Sequence, residues 1–145
     1  MTPIPGPDDE HFLREAVGLA AKARSAGEAP FGSLLVAADG EVLAESYNTV
    51  LGDHDITAHP ELKLARWAAR ELTPEAAAAT TMFTSCQPCG MCTGALARSG
   101  LGRVVYAMST EQLLALKPSG DFPQVRQEGP ALYEEARVAL EGYYG

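Results

Sequence analysis

The sequence predicts an α/β fold, a mixed sheet of four to five strands with helices on both faces. Three observations carry this. Helical and strand-like segments alternate along nearly the whole chain. Asp39-Gly40 joins two adjacent apolar runs, a hairpin signal, so the sheet is not purely parallel. The length, 145 residues, fits one domain spanning 1–145. A chain of this size buries about 70% of its unfolded surface.

The elements follow in order. Met1 to Pro7 holds three prolines and a glycine and reads as an irregular lead-in. Asp8 and Asp9 precede a stripe of Phe12, Leu13, Ala16, Leu19, Ala20 and Ala23, closed by Gly27, so a helix is predicted at about 9–26. Gly32 to Ala38 and Glu41 to Tyr47 are the hairpin strands. Residues 48–58 read as a loop. A second helix runs from His59 to Leu72, with Pro60 in its first turn. Leu62, Ala65, Arg66 and Ala69 give it helical spacing, and Trp67 is expected in the core. Thr80 to Thr84 reads as a strand, about 89–99 as a helix, and Arg103 to Met108 as a compact buried strand. A short helix is expected at 109–116, a loop at 117–123, a weak strand at 124–127 and a last helix at about 130–142.

Composition narrows the function. Hydrophobic residues make up 46% and charged residues 21%, the ordinary globular range, which argues against disorder or a disulfide scaffold. Acidic residues outnumber basic ones 19 to 11, for a formal net charge of −8. Such a surface repels phosphate backbones, and the basic residues are scattered, so nucleic acid is not expected as a partner. The longest apolar-looking run, Ala16 to Ala23, is interrupted by Gly18 and Lys22 and is far short of the ~20 residues a membrane span needs. The odd cysteine count, three, and the absence of a signal-peptide pattern point to a reducing cytoplasm.

Two segments carry chemistry. Thr57-Ala58-His59-Pro60-Glu61 and Ser85-Cys86-Gln87-Pro88-Cys89-Gly90-Met91-Cys92 each open a predicted helix. Cys89 and Cys92, three apart, face the same way on a helix. With His59 they offer one nitrogen and two sulfurs, a set that suits tetrahedral zinc and leaves a fourth position for water. The partial positive charge of helix N-termini favours thiolates there. Glu61, two residues beyond the histidine, is placed for general acid–base work on that water. Two plainer readings stand beside this one: a pair of buried structural thiols, or a structural zinc site with Cys86 as fourth ligand.

The pattern His59-x-Glu61 followed by Pro88-Cys89-x-x-Cys92 is the known signature of zinc deaminases. Pro30-Phe31-Gly32, Asn48, His54-Asp55-Ile56-Thr57-Ala58-His59 and Gly90 to Leu96 extend the likeness over about residues 10–108. The chain resembles the cytidine deaminase-like superfamily. Its nearest branch holds guanine deaminases, fungal-type cytosine deaminases and tRNA adenosine deaminases, and Thr84-Ser85-Cys86 is similar to the guanine deaminase form. The resemblance implies a three-layer α/β/α sandwich, a resident zinc ion on His59, Cys89 and Cys92, Glu61 as catalytic acid–base, and a homodimer. It implies that Asn48, Phe31, Ala58 and His54 meet a small nucleobase-like substrate, water being the co-substrate, and that Cys86 is not a ligand. For Asn48 the plainer role is a turn residue, for Phe31 core packing, and for His54 an exposed loop side chain. Tyr143 or Tyr144 would close the site if the tail folds over it. Pro60 and Gln87 depart from the family pattern, which commonly has a small residue and a glutamate there.

Overall fold

The computed structural model describes residues 6–117 and 124–145. The elements are α1 (Pro7–Ser25), β1 (Gly32–Val36), β2 (Val42–Tyr47), α2 (Val50–Asp53), α3 (Pro60–Glu71), α4 (Pro74–Ala78), β3 (Thr81–Cys86), α5 (Gly90–Ser99), β4 (Arg103–Met108), α6 (Thr110–Leu116) and α7 (Tyr133–Ala136), followed by a 3-10 turn at Arg137–Leu140. The four strands form one sheet in the order β2-β1-β3-β4. β1 is antiparallel to both neighbours, and β3 and β4 are parallel. The expected mixed sheet is therefore present, with four strands.

Side-chain parity divides the core into two halves. Leu34 and Val36 of β1 and Phe83 of β3 pack with Leu13, Ala16 and Leu19 of α1. Leu35 and Met82 point the other way, onto Leu64, Ala65 and Ala68 of α3 and Leu96 of α5. Successive strand residues must alternate faces, so the apolar run Leu34-Leu35-Val36 can only be buried if both faces are covered. This yields the three-layer α/β/α sandwich.

α1 lies very close to the sheet. A Cβ on Gly32 would meet Leu19 Cβ at 2.5 Å, Ala20 N at 2.6 Å and Ala16 O at 2.7 Å. The start of β1 thus requires a residue without a side chain. At the opposite end of the sheet, Arg103 of β4 donates to both Asp9 carboxylate oxygens, at 3.0 and 2.7 Å. This forked pair ties the beginning of α1 to the beginning of β4. The guanidinium holds the Asp9 carboxyl below its ordinary pKa.

Several expectations are corrected. The buried stripe of α3 is Pro60, Glu61, Leu64, Ala65 and Ala68, one position off the expected stripe, and Arg66 and Ala69 face solvent. Trp67 is half-buried at the margin of the α3–α5 core. β4 is an edge strand, and of its residues only Val105 is buried. The loop at 48–58 contains α2, and α4, capped by the Thr73 hydroxyl accepting from the Ala76 N–H, was not anticipated. Residues 124–127 form no strand, and the long last helix shrinks to α7 and its 3-10 turn. Every residue from 124 to 145 is exposed, and short helices gain most of their stability from packing. The rest of the expected loop, 118–123, lies outside the described residues.

Two outcomes follow. Gly32→Ala should destabilise the protein by about 2–3 kcal/mol, because neither α1 nor β1 can move without opening the core; thermal or urea unfolding reads this directly. Asp9→Asn should cost roughly 0.5–1 kcal/mol, the range for an exposed but forked pair. Because the folded-state pKa of Asp9 is depressed, that contribution exists above the unfolded value of about 3.9 and is lost as pH falls through the folded value. Denaturation curves of the two proteins should differ at pH 7 and converge in strong acid.

Candidate active site

One end of the sheet gathers the start of β1 and the ends of β2, β3 and β4, and the chain enters α3 and α5 beside it. His59 is the N-cap of α3 and Cys89 the N-cap of α5. Each contributes its carbonyl to the first helical bond, accepting from Lys63 and Thr93 respectively. Neither uses its side chain to cap its helix, although that is the usual work of an N-cap side chain. The two side chains turn toward one another instead. Cys92, on the first turn of α5, completes the group and is fully buried.

The donor atoms fit a tetrahedral ion. His59 Nδ1 lies 3.7 Å from Cys89 Sγ and 3.4 Å from Cys92 Sγ. Zinc bonds of about 2.0 Å to nitrogen and 2.3 Å to sulfur set tetrahedral N···S separations of roughly 3.6 Å. All three donors lie within 4.8 Å of one another. Burial lowers the His59 pKa, which favours the neutral imidazole a metal needs. Burial, reinforced by Glu61 and Cys89, raises the Cys92 thiol. A dication reverses that second effect, since it pairs with the thiolates and displaces their protons. Neither Glu61 nor Cys86 joins the donor group among the described residues. Three protein ligands leave a position open, as catalytic zinc sites do.

Glu61 is 6% exposed and lies in the first turn of α3. Burial raises its pKa. Parity explains its neighbour. Ser33 shares the Leu35 face of β1, and its hydroxyl points at α3, 3.5 Å from Glu61 Oε1. The same hydroxyl is 2.8 Å from Thr84 Oγ1, on the paired residue of β3. A buried hydroxyl pair therefore forms the floor beneath the carboxylate. Ser85 Oγ accepts from the Gly32 N–H, joining the strand ends at the site's edge.

These groups open into a cavity of about 630 Å³. His59, Glu61, Cys89, Asn48 and Phe31 line it. Cys86 contributes to its wall as a thiol, not as a ligand. His54 and Ala58 do not line it. His54 is exposed, in a left-handed conformation at the end of α2. The Ala58 N–H donates to the Asp55 carbonyl and its own carbonyl accepts from Thr49, so the backbone expected to meet substrate is engaged within the loop. Tyr143 and Tyr144 stack edge-on against each other in solvent and do not line the cavity.

The sequence reading missed the cavity's apolar wall. Met108 at the end of β4 and Leu113 and Leu116 of α6 supply it. The available signal was the three-residue spacing of the two leucines behind a Ser109–Gln112 capping box. Gln87, an unusual residue for its position, accepts from the Thr110 N–H at 2.9 Å and so fastens α6 to the metal segment.

Residues 7–108 match the cytidine and deoxycytidylate deaminase zinc-binding region. The chain belongs to this family. Its members are hydrolytic deaminases with a resident zinc ion, and in this deaminase His59, Cys89 and Cys92 are the residues that would hold it. It is 30% identical over 155 residues to a probable cytosine deaminase of Schizosaccharomyces pombe, covering 94% of this chain and 92% of that one. It is 32% identical over 105 residues to the tRNA-specific adenosine deaminase of Buchnera aphidicola, covering 72% and 69%. The X-ray structure of guanine deaminase from Bacillus subtilis superimposes with a TM-score of 0.71 at 30% identity, over 93% of this chain and 92% of that one. Among the described residues of this deaminase no helix is long and apolar enough to cross a membrane.

Metal analysis of the purified deaminase should find about one zinc per chain, and Cys92→Ala should abolish it. Zinc uptake should release protons and weaken below neutral pH, because thiols must ionise to bind. A pH-indicator titration of the zinc-free protein measures both effects.

Proposed function

We propose that the protein deaminates a small free heterocycle, guanine or a related aminopurine first among them. The observation that carries this is the burial of Glu61 beside a cavity that it lines together with His59, Cys89 and Asn48. Water adds to the ring carbon that bears the amino group, a carbonyl forms at that carbon, and ammonia leaves. Zinc, when bound, supplies a more acidic water for the attack. Glu61 takes one proton from the attacking water and passes it to the ring nitrogen, then takes the second from the hydroxyl now on the ring carbon, as the carbonyl forms, and delivers it to the leaving amine. Its burial favours the protonated state between these transfers. Asn48 offers an amide donor and acceptor for a ring edge. Phe31, Met108 and Leu113 provide the apolar surface for a flat ring.

The choice of a purine is supported by the likeness to guanine deaminase along nearly the whole of both chains, and by the apolar wall that α6 adds. Cytosine, aminotriazines and nucleosides are the second reading, favoured by the equally extended likeness to the cytosine deaminase. Action on tRNA is disfavoured by the net charge of −8, since a stem needs a basic surface. A non-catalytic zinc module would have no use for a buried carboxylate beside the metal donors. Our reading includes a single catalytic domain, a cytoplasmic setting and a homodimer, the last on the family resemblance alone.

An ammonia-release panel of guanine, isoguanine, adenine, cytosine, aminotriazines and their nucleosides decides the substrate. Guanine should give the highest kcat/KM, and equal rates on all would refute a purine-selective cavity. Glu61→Gln should retain zinc and lose about 10³-fold in kcat, in line with general acid–base contributions. A metal-loaded variant of undiminished rate would remove Glu61 from the mechanism.

A further inference from the structure

Lys63 stands one turn after His59 on α3, yet its side chain leaves the metal site. It runs, partly buried, toward the end of β2. There Nζ donates to the Tyr47 carbonyl at 2.8 Å and to Thr49 Oγ1 at 2.9 Å. Those two residues flank Asn48. The Asn48 N–H donates to the Phe31 carbonyl at 3.0 Å, and its Oδ1 accepts from the Val50 N–H at 3.0 Å. The amide plane of Asn48 is thus set by its own loop, and Lys63 sets the loop on both sides of it.

The surroundings fit a clamp. Thr49 Oγ1 donates onward to Asp53 Oδ2 at 2.6 Å. The Glu28 carboxylate accepts from the N–H groups of Leu51 and Gly52, at 2.9 and 2.8 Å. Burial lowers the Lys63 pKa, and the charges of Asp53, Glu28 and Asp55 work against that effect. One cation with three donors therefore serves two acceptors, on strand β2 and on its following loop.

We propose that Lys63 is a positioning residue that fixes Asn48 and, through it, the orientation of the ring in the cavity. The proposal rests on Asn48 being a substrate-contacting group, as set out above. A thioether of similar length removes the charge and the donors but keeps most of the packing. It removes the ammonium from the Tyr47 carbonyl and from Thr49 Oγ1, the latter still held by Asp53.

The test is a double-mutant cycle of Lys63→Met and Asn48→Ala in the zinc-loaded protein, with guanine and cytosine as probes. Lys63→Met should keep full zinc content and lower kcat/KM 10–100-fold, mainly through KM, because ground state and transition state lose the same contact. Lys63→Arg should restore most of the loss. In the Asn48→Ala background, Lys63→Met should cost less than 3-fold, since the group it positions is gone. An undiminished cost in that background, or full activity of Lys63→Met, overturns the proposal. If Asn48→Ala alone keeps wild-type kcat/KM, the Asn48 reading fails, and with it the link from Lys63 to substrate. If the wild type acts on neither probe, amide hydrogen exchange judges the clamp separately. Exchange at residues 48–53 should quicken at least 10-fold in Lys63→Met while residues 90–99 are unchanged, and equal exchange at 48–53 overturns the proposal.

Discussion

The chemistry of this protein depends on two helices beginning within hydrogen-bonding distance of each other at the same end of a buried sheet. α3 starts at His59 and α5 at Cys89, and each of these N-cap side chains gives up its capping duty to face the other. That arrangement leaves backbone N–H groups of both helices directed toward the donor cluster, a field that favours thiolates. It is held in place by the α3–α5 core, where Leu64, Ala65 and Ala68 meet Leu96 over Leu35 and Met82. The donors are far apart in sequence, so their approach to 3.4 and 3.7 Å is a product of tertiary packing.

The buried polar groups at this end form one system. Burial disfavours ionisation of both Glu61 and the Cys92 thiol, and the Glu61 charge pushes the thiol further the same way. A divalent ion relieves that conflict at the sulfurs, leaving the carboxylate to exchange protons with substrate. Beneath it, Ser33 and Thr84 are joined across two strands, so the carboxylate sits on paired hydroxyls. Buried polar side-chain atoms without a partner are absent among the described residues. The polar end of the sheet is therefore closed internally, apart from the groups that face the cavity.

Most elements and the three metal donors were legible because they follow local rules: the stripe of α1, the Asp39-Gly40 turn, Pro60 at a helix start and the Cys-x-x-Cys spacing. What was illegible depends on the environment. The stripe of α3 was misplaced by one residue because its buried face includes Glu61, which no hydrophobicity pattern assigns to a core. β4 looked buried from Val104 and Val105, but its place at the sheet edge is a matter of strand order. The tail was read as a helix from its residues, yet at 124–145 it has no surface to pack against, and propensity alone sustains only α7. Ser33 and Lys63 carry no motif. Ser33 matters through strand parity, and Lys63 through the reach of its side chain across to β2.

The register of β1 has a consequence for where this chain can change length. The pairing of β1 with β2 shifts at Leu35/Val36, so an irregularity lies between the hairpin turn and the site. Extra residues at Asp39-Gly40 can be taken up at that shift, before they reach Leu34 or Ser33. An insertion between Gly32 and Leu35 has no such buffer. It would exchange the two faces of the strand, send the Ser33 hydroxyl toward α1 and present a leucine to Glu61. Tolerance to insertion should therefore fall sharply within a few residues along a single strand, on the side that faces the carboxylate.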